Sequence, residues 1–244
     1  MSLLAKPRAW TDASQALIAA ILDVDGVLLA SPHERAWREA LVGIADPARF
    51  TTAMYQAVVA GKPRGSGAVA ALVALGLPNA ERLAPAYAVA KQHRLEALID
   101  AGGVVAFPDA LRFVQRVRAL GWPMAVASSS KNANQMLRSI PIEGGRSLFD
   151  LFSVNVCGLD LAHGKPNPEI FLRAATALAV APAYCVVIED APAGIAAARA
   201  GGMAALGVAR LNDEAGLRAA GADLVVASLD RVSVECLTGG RTGR

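Results

Sequence analysis

Asp23 and Asp25 stand one residue apart at the end of the apolar run Ala19-Ala20-Ile21-Leu22, and Gly26 follows them. Two carboxylates before a residue that turns freely can cap a loop, since Asp-Gly is a common turn signal, or can set a nucleophile beside a proton carrier. Other apolar runs end on chemistry as well. Ser128-Ser129-Ser130-Lys131-Asn132 closes one, Lys165 comes after a second, and Glu189-Asp190 closes a third. Taken singly, serine and asparagine start helices, lysine solvates, and a Glu-Asp pair caps the helix that follows. Together they hold the parts that phosphoryl transfer through a covalent intermediate requires. These are a carboxylate nucleophile, oxygen ligands for a divalent cation, a cation and a hydroxyl for the phosphoryl oxygens, and an acid/base. Mg2+ prefers hard oxygen ligands and is held by one or two carboxylates plus phosphate and water, which Asp23 and Asp190, with Glu189 behind them, can supply.

The elements that must position these groups follow from the hydrophobic pattern. Strand-type runs recur at 19–23, 124–128, 152–157, 185–189, 204–208 and 223–226, separated mostly by alanine-rich helical stretches. Alternation of this kind predicts an α/β fold, a Rossmann-like doubly wound parallel sheet covered on both faces, with ligands beyond the carboxyl ends of its strands. The stretch from 31 to 103 carries no convincing strand, only helix-like segments near 32–44, 47–60, 66–76 and 79–100. That is too long for one crossover and reads as an inserted four-helix cap on a core formed by 1–30 and 104–244. Ala101-Gly102-Gly103 marks the return, and Pro108-Asp109-Ala110 opens a core helix. There is no internal repeat and no low-complexity tract.

Composition narrows the partners. With 244 residues, 54% hydrophobic and 5% aromatic, the chain has the apolar content for a large core built of alanine, valine and leucine. A formal charge of +3 from scattered basic residues points away from nucleic acid and from anionic membrane, and toward a small anion as ligand. Cys157, Cys185 and Cys236 are odd in number and far apart, which fits a reduced intracellular protein. The start, Met1-Ser2-Leu3-Leu4-Ala5-Lys6-Pro7, is too short and broken for a signal-peptide core, and no run approaches the ~18 apolar residues of a spanning helix. A cytoplasmic protein, monomeric or weakly dimeric, is expected; 238–244 reads as a frayed end carrying no message.

Four segments, in order, resemble the motifs of the haloacid dehalogenase-like superfamily: Asp23-Val24-Asp25-Gly26-Val27, Ala127-Ser128, Gly164-Lys165-Pro166-Asn167-Pro168-Glu169-Ile170-Phe171, and Ile188-Glu189-Asp190-Ala191-Pro192-Ala193-Gly194-Ile195. Each is weak alone; the ordered quartet spans nearly the whole chain, including the insertion point of the cap. The resemblance implies that Asp23 becomes an aspartyl phosphate and that Asp25 is the general acid/base, brought round by a turn that Gly26 permits. It further implies that Ser128 and Lys165 hold the phosphoryl oxygens. Asp23, Asp190 and the Asp25 carbonyl become the protein's ligands to Mg2+, with Glu189 placed on the metal side to orient them.

The helical insert is similar to that of beta-phosphoglucomutase-like proteins. His33-Glu34-Arg35-Ala36-Trp37 resembles their first cap helix, which implies a hydrogen bond from His33 to Asp25. Gly61-Lys62-Pro63-Arg64 resembles their second signature, in which the arginine takes the phosphate that is not transferred. Lys91-Gln92 matches a pair that faces the sugar, and the segment from Ser129 through Lys131 and Asn132 matches one that binds the distal phosphate. Lys62 reads as a solvated surface lysine. Two departures stand out: the chain is two residues shorter than the usual pattern between Ser31 and His33, which puts the reach of His33 in question, and Ala191 stands where serine is more common. The reading that follows is Mg2+-dependent phosphoryl transfer on a small sugar phosphate, as a phosphohexomutase. The alternatives are a phosphatase for a small sugar or polyol phosphate and a non-catalytic binding module on the same fold.

Overall fold

The computed structural model describes residues 16–211 and 213–238. The opening stretch 1–7 and the C-terminal residues 239–244 lie outside the described residues. In chain order the elements are β1 (Ala19–Leu22), β2 (Leu29–Ala30), α1 (His33–Glu39), α2 (Thr52–Val58), α3 (Arg64–Ala74), α4 (Ala80–Asp100), β3 (Val105–Ala106), α5 (Pro108–Ala119), β4 (Met124–Val126), α6 (Ala133–Arg138), β5 (Pro141–Ile142), β6 (Arg146–Ser147), β7 (Val154–Asn155), α7 (Glu169–Ala177), β8 (Cys185–Glu189), α8 (Pro192–Ala200), β9 (Ala204–Val208), α9 (Glu214–Ala219), β10 (Leu224–Val226) and α10 (Val234–Leu237).

Six strands form one sheet in the order β10-β9-β8-β1-β4-β7, and every pairing in it is parallel. The chain moves outward from β1 through β4 to β7, then returns to pair β8 against the other side of β1. The strand order therefore reverses at β1, where an open parallel sheet leaves a crevice at its carboxyl edge. Full burial of the strands explains their continuous apolar runs: Ala19 and Ile21 of β1 join one buried cluster with α7 and α8, while Ala20 and Leu22 join the other with α5 and α6. On α5 the apolar set Ala110, Phe113, Val114 and Val117 has the spacing of one helix face, and all four are buried.

Helices α1 to α4 gather around a third cluster that includes Trp37, Leu41, Phe50, Leu72 and Tyr87. Tyr87 donates its hydroxyl to the Trp37 carbonyl at 2.8 Å, and the two rings lie 5.2 Å apart. Each such buried side chain contributes about 1.5–3 kcal/mol. The foot of this group is shared, because Leu95, Leu98 and Ile99 of α4 and Ala36 of α1 pack into the cluster on one face of the sheet.

The departures from the sequence reading are local. The run 152–157 contributes only Val154–Asn155 to the sheet. The segment 47–60 begins with a short 3-10 turn at Pro47–Arg49, capped by Asp46, and restarts as α2 where Thr51 accepts from the Met54 N–H at 3.2 Å. Two antiparallel ribbons, β2–β3 and β5–β6, were not foreseen, because strands of two residues leave no periodicity. The first ribbon carries the chain into and out of α1–α4.

Candidate active site

The carboxyl ends of β1, β4 and β8 open into a cavity of about 450 Å³, a usual size for a small-ligand site. All the candidate residues line it: Asp23, Asp25, His33, Arg64, Lys91, Ser128, Ser129, Lys131, Asn132, Lys165, Glu189 and Asp190. The sheet register supplies this convergence, since Leu22 is paired with both Val126 and Ile188 and the residues just beyond these pairs therefore end side by side.

Lys165 lies between two carboxylates at the floor. Its ammonium, 1% exposed, donates to Asp23 Oδ1 at 2.5 Å and also to Glu189 Oε1. The other oxygen of Glu189 accepts the backbone N–H groups of Asp190 and Ala191 at 2.9 and 3.0 Å. A side chain with both oxygens so engaged suits an orienting role and not direct ligation of a metal. Burial pushes the Asp23 carboxyl up to about 7, against the pull of Lys165, with Glu189 and Asp25 adding to the rise. Burial, with Glu189, Asp23 and Asp25 adding and Lys165 opposing, raises Asp190 well above its ordinary value.

Two glycines set the closeness of these groups. Gly26 has φ +79°, and a Cβ there would fall 1.9 Å from Asp190 Oδ2, so only glycine lets the turn after Asp25 lie against the Asp190 carboxylate. A Cβ at Gly194 would fall 1.9 Å from Glu189 Oε1 in the same way. The donor set beside this turn fits Mg2+. The Asp190 carboxylate takes no hydrogen bond among the described residues and sits with Asp23 in an acidic cluster that one lysine does not neutralise. Among the described residues no three His, Cys, Asp or Glu side chains form a ready-made cage.

On the helical side, His33 Nε2 reaches Asp25 Oδ2 at 3.2 Å, so the shorter chain between Ser31 and His33 does not displace the histidine. Lys91 donates to His33 Nδ1 at 2.7 Å, which leaves the Nε2–H facing Asp25 and the Ser130 hydroxyl, the latter also at 3.2 Å. Burial works to raise the Asp25 carboxyl, but the electrostatic pull and hydrogen bond of His33, a hydrogen bond from Ser31 and the Lys91 charge outweigh it and hold Asp25 below its ordinary value. Asp25 Oδ1 is buried without a hydrogen-bond partner. Lys91, expected to face a sugar, lines the cavity with its ammonium on His33 and 5.0 Å from the Trp37 ring. Burial lowers its pKa to about 7, with Asp25 opposing and Arg64 adding.

The remaining candidates form bridges between the loop after β4 and the helices. Ser129 donates to the Gly61 carbonyl at 3.4 Å. Gln92 of α4 donates to Asn132 Oδ1 at 3.1 Å and accepts from Arg64. Lys131 pairs with Asp160 at 2.7 Å on the exposed rim. Lys62, read as a solvated lysine, lines the cavity.

A model of the family described as haloacid dehalogenase-like hydrolase matches residues 19–202, the span that carries all four strand-end groups. The chain belongs to the haloacid dehalogenase-like hydrolases. Within that family it is 34% identical to a beta-phosphoglucomutase of Mycobacterium bovis over 238 residues, 86% of this chain and 89% of the relative. It is 44% identical to a beta-phosphoglucomutase of Bacillus subtilis over 114 residues, about half of each chain, at 47% and 46%. A solved structure of an archaeal beta-phosphoglucomutase from a hyper-thermophilic Pyrococcus superposes with a TM-score of 0.73 at 30% identity, covering 92% of this chain and 100% of the other.

Among the cavity residues of this haloacid dehalogenase-like hydrolase that went unread in the sequence are Tyr55 and Arg210. Tyr55 of α2 has its hydroxyl pKa raised by burial and by the carboxylates of Asp25, Asp190, Glu34 and Asp23, yet a tyrosine in a helical segment carries no signal of its own. Arg210 follows the end of β9, the same strand-end signal that marked the other groups.

Proposed function

We propose that the protein is a Mg2+-dependent phosphohexomutase of the beta-phosphoglucomutase type, moving a phosphoryl group between two positions of a glucose phosphate. The observation that carries this reading is a second set of phosphate-seeking groups in the cavity that holds Asp23. Arg64 and Lys62 line it with no carboxylate partner among the described residues, and Asn132 stands beside Arg64 through Gln92. Lys131 joins them through a rim pair with Asp160, an exposed contact screened by solvent and easily exchanged for a phosphate. A substrate phosphorylated at two positions in turn needs such a second anion site.

In the first half-reaction Asp23 attacks phosphorus, the bond to the leaving oxygen breaks, and Asp25 gives that oxygen its proton. In the second, a sugar hydroxyl attacks the aspartyl phosphate and Asp25 takes the proton back. Held below its ordinary pKa, Asp25 is ionised and ready to take the proton of the attacking sugar hydroxyl, and it is this proton that it gives to the leaving oxygen when Asp23 next attacks a phosphate. Lys165 and Ser128 hold the phosphoryl oxygens, and His33, backed by Lys91, fixes the direction of the Asp25 carboxylate. Asp23, Asp190 and the Asp25 carbonyl, with Glu189 orienting them, would hold Mg2+, whose charge would favour the ionised form of Asp23 and offset that of the phosphoryl group. Residues 31–103 act as the cap and 1–30 with 104–244 as the core, the cap excluding water so that sugar, not solvent, attacks. Cys157 and Cys185, buried as free thiols, suit a reduced intracellular setting.

The test is incubation with Mg2+, β-glucose 1-phosphate and a trace of the 1,6-bisphosphate. Formation of glucose 6-phosphate without matching inorganic phosphate supports the mutase; rapid phosphate release from several sugar phosphates overturns it in favour of a phosphatase. Arg64→Ala is expected to lower mutase kcat/KM about 10- to 100-fold, the loss of a charge-assisted contact.

A further inference from the structure

Arg210 leaves the carboxyl end of β9 and reaches back under the turn that carries Asp25. Its Nε donates to the Gly26 carbonyl and its Nη2 to the Val27 carbonyl, each at 3.2 Å, while Nη1 donates to Asp109 Oδ2 at 2.8 Å. The guanidinium lies 4.0 Å from the centre of the Phe107 ring. Phe107 follows β3, and its N–H donates to the Leu28 carbonyl at 3.0 Å, so it belongs to the chain returning from α1–α4. Asp109 in turn accepts from the Ser228 hydroxyl and the Leu229 N–H at 2.9 and 2.8 Å. One planar fork thus grips the outgoing turn, the returning ribbon and the first turn of α5 at once. A lysine, a point charge on a flexible stem, has no geometry for doing so.

We propose that Arg210 is a positioning residue for proton transfer: by fixing the Gly26 and Val27 carbonyls to the sheet, it sets where the Asp25 carboxylate meets the leaving oxygen. This inference rests on the acid/base role proposed for Asp25. Leu28 and Leu29 are tied to the returning ribbon and Val27, Leu28 and Leu29 are buried in the core, while the Gly26 and Val27 carbonyls are held by the Arg210 guanidinium. The turn is closed by the Gly26 N–H to the Leu29 carbonyl at 2.9 Å and by Leu28 and Leu29 N–H groups to the Val24 carbonyl, bonds internal to the turn that hold its shape but not its tilt relative to Asp23. Arg210 ties that shape to an element outside the turn.

Leaving-group dependence separates this role from a merely structural one. When Asp23 attacks a sugar phosphate, the oxygen that departs with the electron pair needs the proton of Asp25. When it attacks p-nitrophenyl phosphate, nitrophenolate departs as a stable anion and needs none. In single-turnover measurements of Asp23 phosphorylation, Arg210→Lys is expected to slow the reaction with glucose 1,6-bisphosphate about 10- to 100-fold while changing nitrophenolate release less than about threefold, since acid catalysis as a whole is worth about 10²–10⁴. Asp25→Asn is the reference and is expected to show the same selectivity more strongly. If Arg210→Lys slows both substrates equally while Asp25→Asn discriminates between them, the positioning role is wrong. If Asp25→Asn itself does not discriminate, the acid/base assignment fails and the inference with it. Should Arg210→Lys not fold, Arg210→Gln, whose neutral amide keeps one N–H donor toward the two carbonyls, is read by the same criterion.

Discussion

Lys165 is the residue whose removal the site tolerates least. Its ammonium and the Glu189 side chain are each 1% exposed, and Asp23 and Glu189 share it. Burial works to depress the lysine, but the two carboxylates and their hydrogen bonds overcome this and raise its pKa. Replacing it by methionine of similar length strands two buried carboxylates, and breaking a buried pair in this way costs about 3–5 kcal/mol. Lys165→Met is therefore expected to lower the unfolding free energy, read by chemical denaturation at neutral pH, by that amount as well as abolish turnover; unchanged stability would mean that the pair is not closed in solution. The identities of these residues were legible because each follows an apolar run. Their division of labour was implied only by the family resemblance, not by residue type or position. Glu189 and Asp190 are neighbours of the same charge, yet Glu189 is saturated by Lys165 and two backbone N–H groups while Asp190 is left open. Lys91, read as facing a sugar, also donates to His33, a contact that local pattern does not carry.

Among elements, the long parallel strands were readable and the short ones were not. Burial on both faces makes β1, β8 and β9 continuous apolar runs, whereas the two-residue strands β2 and β3 that join sheet to helices depend on a pairing between positions 29 and 106 that local pattern does not carry. The start of α5 shows how such a junction is held. Burial raises the Asp109 carboxyl, but hydrogen bonds from Arg210, the Leu229 N–H and Ser228 outweigh it and hold its pKa at about 2. A carboxyl that is lower in the folded than in the unfolded chain stabilises the fold fully above its unfolded value, near ~4, and less as the pH falls toward the folded one. The stability advantage of the wild type over Asp109→Asn is thus expected to shrink between about pH 4 and pH 2, as followed by urea unfolding across that range. An advantage independent of pH would show that Asp109 acts through packing alone.

At the scale of the whole molecule, the sheet and the helical group meet across the cavity at a contact with no spare room. A Cβ at Gly164, next to Lys165, would lie 2.3 Å from the Pro63 ring, just before Arg64. Gly164→Ala is expected to prop the two sides apart, raise KM for the sugar phosphate and increase inorganic phosphate release relative to transfer, because water then competes with the sugar hydroxyl. Equal product ratios in wild type and variant would mean that closure at this contact does not control the acceptor. The central claim is that Asp23 carries the phosphoryl group and hands it to a sugar inside this closed space. It is tested most directly by incubating the protein with Mg2+ and radiolabelled glucose 1,6-bisphosphate, trapping the covalent adduct, mapping it, and chasing with unlabelled β-glucose 1-phosphate. The account predicts label on Asp23 that leaves as sugar bisphosphate; label on another residue, or discharge from Asp23 to inorganic phosphate alone, would contradict it.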